Sequence, residues 1–485
     1  MKATHSSPSV SARKALASER KAQWRALLRS VMPFSDAVTQ ELPWNRLLRL
    51  SMFQLSCGMA LVLLNGTLNR VMIVELSVPA WLVACMVALP MVFAPFRALI
   101  GFRSDHHKSA IGWRRAPYLW MGSLMQFGGL AIMPFALLLL SGDGNAPVWL
   151  ARAAAALAFL LVGLGLHTSQ TAGLALATDV SPEQKRPQVV ALLYVVLLIG
   201  MLISALIFGA LLNNFSQLKL IQVIQGAALL TMVFNCIALW KQEARRPDRN
   251  QKARPSFSSA WSDYCQATSG KRFLVAVMLG TAGFSMQDIL LEPYGAQILN
   301  LSVSATTVLT AILAGGSLAA FAVAAHRLQH GAHPTRVAAL GILIGIVAFS
   351  MIIFAEPLES AMLFRAGTAL IGFGGGLFGV STLIMAMTMV GKDQSGLSLG
   401  AWGAAQATAA GVGIALGGLT RDVTTTLAVN GMLGEALSSP ATGYSIVYHL
   451  EIALLFMALA ALGPLTSLVP EHSKNRQFGL AEFPN

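Results

Sequence analysis

The 485-residue chain is 55% hydrophobic and only 11% charged, and its mean hydropathy is +0.63. A chain this apolar is not an ordinary soluble enzyme, and the composition predicts an integral membrane protein. The net charge of +13 does not predict nucleic acid as a partner, because no basic stretch is interleaved with stacking aromatic residues.

Twelve apolar runs are long enough to cross the ~30 Å hydrocarbon core of a bilayer as helices. In the first half they lie at 52–74, 79–100, 117–140, 148–176, 188–212 and 218–240. In the second half they lie at 272–292, 303–325, 335–355, 361–390, 397–420 and 444–469. The sequence therefore predicts an all-α membrane protein with twelve transmembrane helices in two six-helix halves.

The basic residues indicate the orientation. Most of the 34 Lys and Arg residues lie in the two termini and in the loops on one side of the predicted membrane. Because loops rich in Lys and Arg stay cytoplasmic, both termini are predicted to be cytoplasmic. The basic residues that lie elsewhere are Arg70, Arg152, Lys219, Arg365 and Arg421.

Changes in composition divide the chain into five parts. They are an N-terminal arm at 1–50, a bundle at 51–240, a linker at 241–270, a second bundle at 271–470 and a tail at 471–485. In the arm, basic and apolar residues at helical spacing favour an amphipathic helix on the membrane surface. A partly disordered topogenic tail is the alternative. Within each bundle, the residues of interest are taken below in chain order.

Polar residues interrupt the end of the first span. Asn69 and Arg70 lie a few residues before Glu75 and Pro79. A buried Arg must pair, face a cavity or extend to the headgroups. These residues are therefore expected either to line the interior or to meet the outer headgroups.

The loop between the second and third spans is short, basic and rich in glycine. Its characteristic residues are Arg97, Gly101, Asp105, Gly112, Arg114 and Arg115. A Gly, an Asp four residues on, and then a Gly with two Arg resemble the loop between helices two and three of the major facilitator superfamily. Asp105 is expected to cap the next helix, and the arginines to meet anionic headgroups. A generic basic loop is the alternative.

The fourth span contains His167, with Gln170 close by. A neutral imidazole inside the membrane can ligate the magnesium of a tetrapyrrole, and a hydrogen-bonded core histidine is the alternative. The turn that follows runs from Asp179 to Arg186 and resembles the equivalent turn of facilitator transporters. Its charged side chains are expected to clamp neighbouring helix ends.

The second half repeats the first faintly. The segment 301–305 before the eighth span matches the segment 76–80 before the second, as expected for parallel repeats. Gln287, Asp288 and Glu292 of the seventh span then occupy the places that Asn69, Arg70 and Glu75 have in the first. This suggests that Arg70 and Asp288 face each other across a pseudo-twofold axis and seal one side of a central cavity.

The tenth and eleventh spans are built from small residues, with Trp402 and Gln406 as the larger polar-edged side chains. Such surfaces favour either close helix packing or a broad apolar groove. A groove of this kind suits a large flat pigment better than a sugar, so His167, Gln170, Trp402 and Gln406 are the candidate pigment-binding residues.

Four stretches carry a more specific resemblance: 66–76 (GTLNRVMIVEL), 94–105 (APFRALIGFRSD), 112–118 (GWRRAPY) and 126–137 (QFGGLAIMPFAL). They resemble the PucC/LhaA family of light-harvesting complex assembly proteins from purple phototrophic bacteria, the bacteriochlorophyll-delivery branch of the facilitators. The segment 59–64 favours the LhaA branch, which serves the core antenna.

The resemblance implies an assembly factor in the inner, intracytoplasmic photosynthetic membrane. It implies bacteriochlorophyll as the bound or transferred cofactor. The implied partners are the antenna alpha and beta polypeptides, the reaction-centre core complex and membrane lipids, with chlorophyll synthase as a further candidate.

Two other functions remain open. A proton-coupled secondary transporter would use Glu75, Asp288 or Glu292 as the titrating group. A membrane enzyme of pigment synthesis is disfavoured, because no span presents a convergent set of acid, base and metal ligands. The four cysteines form no CxxC pair and are expected to be core residues without a metal.

Overall fold

The computed structural model describes residues 43–92, 113, 115–142, 147–182, 186–243, 268–388 and 395–467, and every element in them is helical. The first half contains α1 (Trp44–Glu75), α2 (Ala80–Val92), α3 (Ala116–Leu140), α4 (Val148–Val180), α5 (Arg186–Leu211) and α6 (Gln217–Leu239). In the second half, α7 has three consecutive parts, Thr268–Ser285, the 3-10 turn Met286–Ile289 and Leu291–Gln297. It is followed by α8 (Val303–Gln329), α9 (Pro334–Ala355), α10 (Ala361–Thr388), α11 (Ser395–Val429) and α12 (Ala441–Leu462).

Among the described residues, 10 helices are long and apolar enough to cross a membrane. Helices α2 and α11 lie at the two other predicted positions but are outside this set, so the count of twelve spans is not confirmed. Long apolar helices satisfy their backbone groups internally, which is what a bilayer requires of a spanning segment. The chain is a multi-pass membrane protein.

The two halves pack by the same pattern. In the first half, α3 packs on α4 and α6, and α1 packs on α5 and α6; in the second, α9 packs on α10 and α12, and α7 on α11 and α12. Two long contacts, α2 with α11 and α5 with α8, join the halves. The repeat expected from the sequence is therefore present in the packing.

Small residues allow these helices to approach closely. A Cβ atom at Gly372 of α10 would overlap the backbone carbonyl of Leu313 in α8, and one at Gly418 of α11 would lie 2.5 Å from Ala84 Cβ in α2. At these positions the glycines of α10 and α11 serve close packing. By contrast, no atom lies within 4 Å of a Cβ built on Gly379 or Gly403, so parts of the same two helices face open space.

Helices α1 and α7 both lose regular α-helical geometry near the same end of the bundle. We call this the distal end, where α1 finishes, and the opposite end, where α1 begins, the proximal end. Helix α1 contains two π-helical turns, Leu63–Thr67 and Val71–Glu75, whereas α7 contains the 3-10 turn. Such irregular turns frequently mark functional positions, because they change which backbone groups are paired.

Packed residues extend beyond two of the predicted boundaries. Helix α1 begins at Trp44, inside the predicted arm, and its Leu47 and Leu50 are fully buried. At the other end of the first half, Gln242 packs against the bundle although it belongs to the predicted linker. Both differences have one cause. The outer turns of the helices carry polar residues, and a hydropathy profile places such residues outside the membrane span. Residues 1–42 of the arm, which include the predicted amphipathic helix, lie outside the described residues.

Candidate functional site

A buried carboxylate, Glu292 of α7, lies at the junction of the two halves. Its side chain is only 2% exposed, and its Oε1 accepts a hydrogen bond of 2.7 Å from Thr310 of α8. The same oxygen lies directly against Gly66 of α1, where a Cβ atom would overlap it. Nearby, the hydroxyls of Thr67 and Thr307 are 3.4 Å apart. Polar contacts therefore join α1 to α7 and α8 inside the protein.

Arg70 supplies the positive charge of this junction. It is 5% exposed, and its Nη1 lies 2.5 Å from Oε1 of Glu75 on the same helix. It also interacts electrostatically with Glu292 across the halves. In place of the expected pair with Asp288, Arg70 is thus paired with Glu75 and lies within the field of Glu292. Asn69 is fully buried, and its amide donates to the carbonyl of Asn65.

A second polar cluster surrounds the 3-10 turn of α7. Oε1 of Glu451, a fully buried residue of α12, accepts the backbone N–H of Gln287 at 2.7 Å. The Gln287 side chain in turn donates from Nε2 to Oδ1 of Asp288 at 2.7 Å and to the carbonyl of Phe284 at 3.2 Å. Asp288, expected to face Arg70, instead belongs to this cluster within the second half. We call Glu451, Gln287 and Asp288 the α7–α12 cluster.

At the distal end, α11 connects the two halves. Arg421 pairs with Asp422 at 2.7 Å and donates to Gln297 at 2.7 Å, and its guanidinium lies 4.7 Å from the centre of the Tyr444 ring. Asp422 then accepts the backbone N–H of Trp81, the second residue of α2, at 2.7 Å. This network holds α2 against α11 at the point where both reach the distal end.

At the proximal end, a clamp ties helices of the first half together. Arg115 is 5% exposed, and its Nε lies 3.1 Å from Oδ2 of Asp179 at the end of α4. Glu243 accepts the backbone N–H groups of Arg115 and Ala116 at 2.8 to 3.1 Å, so a carboxylate occupies the positive end of α3. The structure therefore brings together Arg115 and Asp179, which the sequence had singled out separately.

Of the other residues singled out in the two predicted turns, the structure describes only the backbone of Arg186. Arg186 begins α5, but its side chain lies outside the described residues. Outside them too are Arg97, Gly101, Asp105, Gly112 and Arg114.

The four candidate pigment residues fall into two separate pairs. His167 and Gln170 are half-buried on α4, and the carbonyl of His167 accepts the hydroxyl of Thr171 at 2.7 Å. Trp402 and Gln406 lie on α11, where the indole N–H donates to Thr382 of α10 at 3.2 Å. Helix α2 packs against both α4 and α11, so the two pairs belong to different helix contacts.

Sequence reasoning missed three of the residues that organise these sites. Glu451 is a lone carboxylate within an apolar run, and that isolation was a usable signal. Thr310 and Glu243 gave no such signal, because a Thr in a span and a Glu after one are common. In the described part of the chain, no group of three His, Cys, Asp or Glu side chains is placed to hold a metal ion.

Solved structures with a similar fold come from transporters. A bacterial homologue of the human lysosomal transporter Spinster, inward-facing and unoccupied, matches with a TM-score of 0.63 and 14% identity, covering 87% of this chain and 97% of that one. The nucleoside transporter NupG matches with a TM-score of 0.60 and 14% identity, covering 86% of this chain and 99% of that one. These similarities show the major facilitator superfamily fold.

Sequence comparison is more specific. The chain is 56% identical to Protein PucC of Rhodovulum sulfidophilum over 399 residues, covering 81% of this chain and 88% of that one. It is 54% identical over 462 residues to an uncharacterized protein of the puhA-bchM intergenic region of Rhodobacter capsulatus, covering 93% and 97%. A more distant relative, 26% identical over 87% of this chain and 95% of its own length, is the bacteriochlorophyll synthase 44.5 kDa chain of Rhodobacter capsulatus.

The profile of the family described as PUCC protein matches residues 67–468, which include α2 to α12 and the end of α1 with its buried polar residues Thr67, Asn69 and Arg70. With a profile match over most of its length, and with relatives more than half identical along nearly the whole of both chains, the chain belongs to the PUCC protein family.

Proposed function

We propose that this protein is a membrane assembly factor for the core light-harvesting complex, which handles bacteriochlorophyll and antenna polypeptides and catalyses no reaction. The observation that carries the proposal is the match to PucC proteins along most of the chain. A relative named for bacteriochlorophyll synthase supports the connection to the pigment. The proposed location is the inner, intracytoplasmic photosynthetic membrane, with both termini cytoplasmic, as the basic loops favour.

The chemistry of the interior supports binding of a large apolar ligand. The charged side chains described above are hydrogen-bonded or paired at helix ends and at junctions between helices, which leaves long apolar helix surfaces between them. On α11, Trp402 is followed by Gly403, beside which a Cβ atom would meet open space. Trp402 itself is 8% exposed and donates to Thr382, so it would support the wall of that space rather than present its own face to a planar guest. The proposed partners are the antenna alpha and beta polypeptides, the reaction-centre core complex and chlorophyll synthase.

Deletion of the gene in a phototrophic host, followed by membrane absorption spectroscopy, tests the role. We expect core-antenna absorption to fall relative to the reaction centre, and the wild-type gene to restore it. Unchanged antenna absorption in the deletion strain would sink the proposal.

Complementation with point variants tests the candidate residues. Trp402→Leu and His167→Leu should restore less antenna than wild type. Trp149→Leu is the matched control, because its indole is 68% exposed at the start of α4. Purification in mild detergent adds a direct measurement: pigment or antenna polypeptide should co-elute with the wild-type protein.

A proton-coupled secondary transporter is the second candidate, and Glu292 favours it. This carboxylate is buried at the junction of the halves, and its Oε2 has no hydrogen-bond partner among the described residues. Intramembrane carboxylates in such positions commonly serve proton relays. Substrate flux into proteoliposomes that follows an imposed pH gradient, and is lost in Glu292→Gln, would support it. A protein that carries pigment and shows no flux excludes it.

A further inference from the structure

The α7–α12 cluster contains two carboxylates for which the described residues provide no compensating positive charge. Glu451 is fully buried and Asp288 is partly buried, and each is hydrogen-bonded to Gln287. The ion pairs of the described residues include neither carboxylate. Transferring an unpaired carboxylate into an apolar interior is strongly unfavourable even after relaxation, so a buried carboxylate normally acquires a positive partner.

The buried arginines of α1 and α11 are already engaged elsewhere. Arg421 of α11 is held by Asp422, Gln297 and Tyr444 at the distal end. Arg70 of α1 pairs with Glu75 and interacts with Glu292. Neither guanidinium is therefore available to neutralise the pair.

Two oxygens of the cluster also lack a hydrogen-bond donor. They are Oε2 of Glu451 and Oε1 of Gln287, both buried and without a partner among the described residues. The orientation of the Gln287 amide follows from its contacts, because its Nε2 faces two acceptors, Asp288 Oδ1 and the carbonyl of Phe284. Its Oε1 must then accept, as must an ionised Glu451. Each of these two buried acceptors needs a hydrogen-bond donor or a cation, and their residues are joined by the Gln287–Glu451 hydrogen bond.

We infer that the α7–α12 cluster is a binding site for one monovalent cation, either a proton or a sodium ion, held by Glu451 with Gln287 and Asp288. Oxygen ligands at the break in a membrane helix suit such ions, because the irregular backbone leaves groups unpaired by the helix itself. The partly buried Asp288 offers the route of entry. This site does not depend on the proposed assembly role.

Other titratable groups around the cluster cannot supply the charge. Tyr294 of α7 packs edge-to-face against Tyr444 and Tyr448 of α12, whose ring centres lie 5.4 and 5.7 Å from its own. Glu356, at the end of α9, interacts with Tyr294 and adds a further negative charge. All of these groups are neutral or anionic, so none of them neutralises the two carboxylates.

The full-length protein in lipid nanodiscs allows both ions to be tested. The first measurement is binding of radioactive sodium at alkaline pH, with choline chloride holding the ionic strength constant. The second is the infrared absorption of a protonated carboxyl group at neutral pH in sodium-free buffer. The variants are Glu451→Gln and Asp288→Asn, and the matched control is Glu435→Gln, which removes an exposed carboxylate after α11.

Wild type and Glu435→Gln should bind a single sodium ion or show the protonated carboxyl band. Glu451→Gln should lose that signal, and Asp288→Asn should weaken it at least tenfold. If Glu451→Gln does not fold, Asp288→Asn and Gln287→Leu give the same comparison. A wild-type protein that is negative in both measurements, or folded variants that keep the full signal, would overturn the inference.

Discussion

Helices α1 and α7 occupy equivalent places in the two halves, yet they stabilise their buried polar groups differently. In α1, Arg70 pairs with Glu75 five residues along the same helix. In α7, Glu292 is hydrogen-bonded by Thr310 of α8, and the backbone of Gln287 by Glu451 of α12. Polar groups of α1 are thus mostly satisfied within the helix, whereas those of α7 depend on its neighbours.

The difference predicts how each half moves. A helix with internal pairing can shift as a rigid unit, because its buried charges travel with their partners. A helix whose buried polar groups are hydrogen-bonded to neighbouring helices must either keep those contacts or break several of them at once. We therefore expect α1 to move against α7 and α8, and α7 to move together with α12.

The largest expected effect comes from removing the charge of α1. Arg70→Met should lower the free energy of unfolding by about 2–3 kcal/mol, because Glu75 and Glu292 both lose their cation. The loss of stability should be smaller than for a fully buried ion pair, because the Glu75 side chain is 38% exposed. Unfolding in detergent, followed by tryptophan fluorescence, measures the change.

A double-mutant cycle with Glu292→Gln sharpens that result. If Arg70 and Glu292 interact across the halves, the double variant should recover at least about 0.5 kcal/mol relative to the sum of the single changes. Arg152→Met, at an exposed position of α4, is the control and should have little effect. Strictly additive changes in the free energy of unfolding would mean that Arg70 interacts with Glu75 and not with Glu292.

Close packing of α1 gives the next effect. A Cβ atom on Gly58 would lie 2.7 Å from the carbonyl oxygen of Leu197 and 2.8 Å from the backbone nitrogen of Met201 in α5. Gly58→Ala should destabilise the protein by about 1–2 kcal/mol, since overpacking outweighs the gain in helix propensity. Gly128→Ala is the matched control, with no atom near its Cβ, and should be neutral or stabilising. Equal melting temperatures for the two variants would contradict the contact.

Thr310→Val tests the dependence of α7 on α8. Loss of the hydroxyl leaves Oε1 of Glu292 without its donor, which should cost about 1 kcal/mol. Thr368→Val makes the same change where the hydroxyl bonds only to its own helix, at the carbonyl of Phe364, and should cost less. Thermal unfolding of both variants decides between them, and a greater loss in Thr368→Val would refute the interpretation.

The smallest effect is expected at the distal end. Asp422→Asn keeps an acceptor for the Trp81 N–H but removes the charge that faces Arg421, so about 0.5 kcal/mol should be lost. High salt should reduce the difference from wild type, because this pair is partly accessible. A loss as large as that of Arg70→Met would place the main attachment of the halves here instead.

Hydropathy and internal similarity were enough to predict the helices and the two halves, because a bilayer imposes length and composition on each span. The partners of Arg70 and Asp288 could not be predicted in this way. Equivalent positions in a repeat indicate a shared place in the fold, but pairing depends on how each helix is rotated about its own axis. Glu451 shows the same limit: its isolation was visible in the sequence, whereas its contact with Gln287 required the packing of α12 on α7.

Glu243 has a mechanical consequence for the whole chain. Glu243 lies just after α6, where the chain leaves the first half, and its carboxylate accepts backbone N–H groups at the start of α3. The end of α6 is therefore bound at the same place as Arg115 and Asp179. If the second half moved away from the first, tension along the chain would reach Glu243 first. From there the force would pass to α3 and α4. One carboxylate thus gives the connection between the halves a fixed anchor on the first of them.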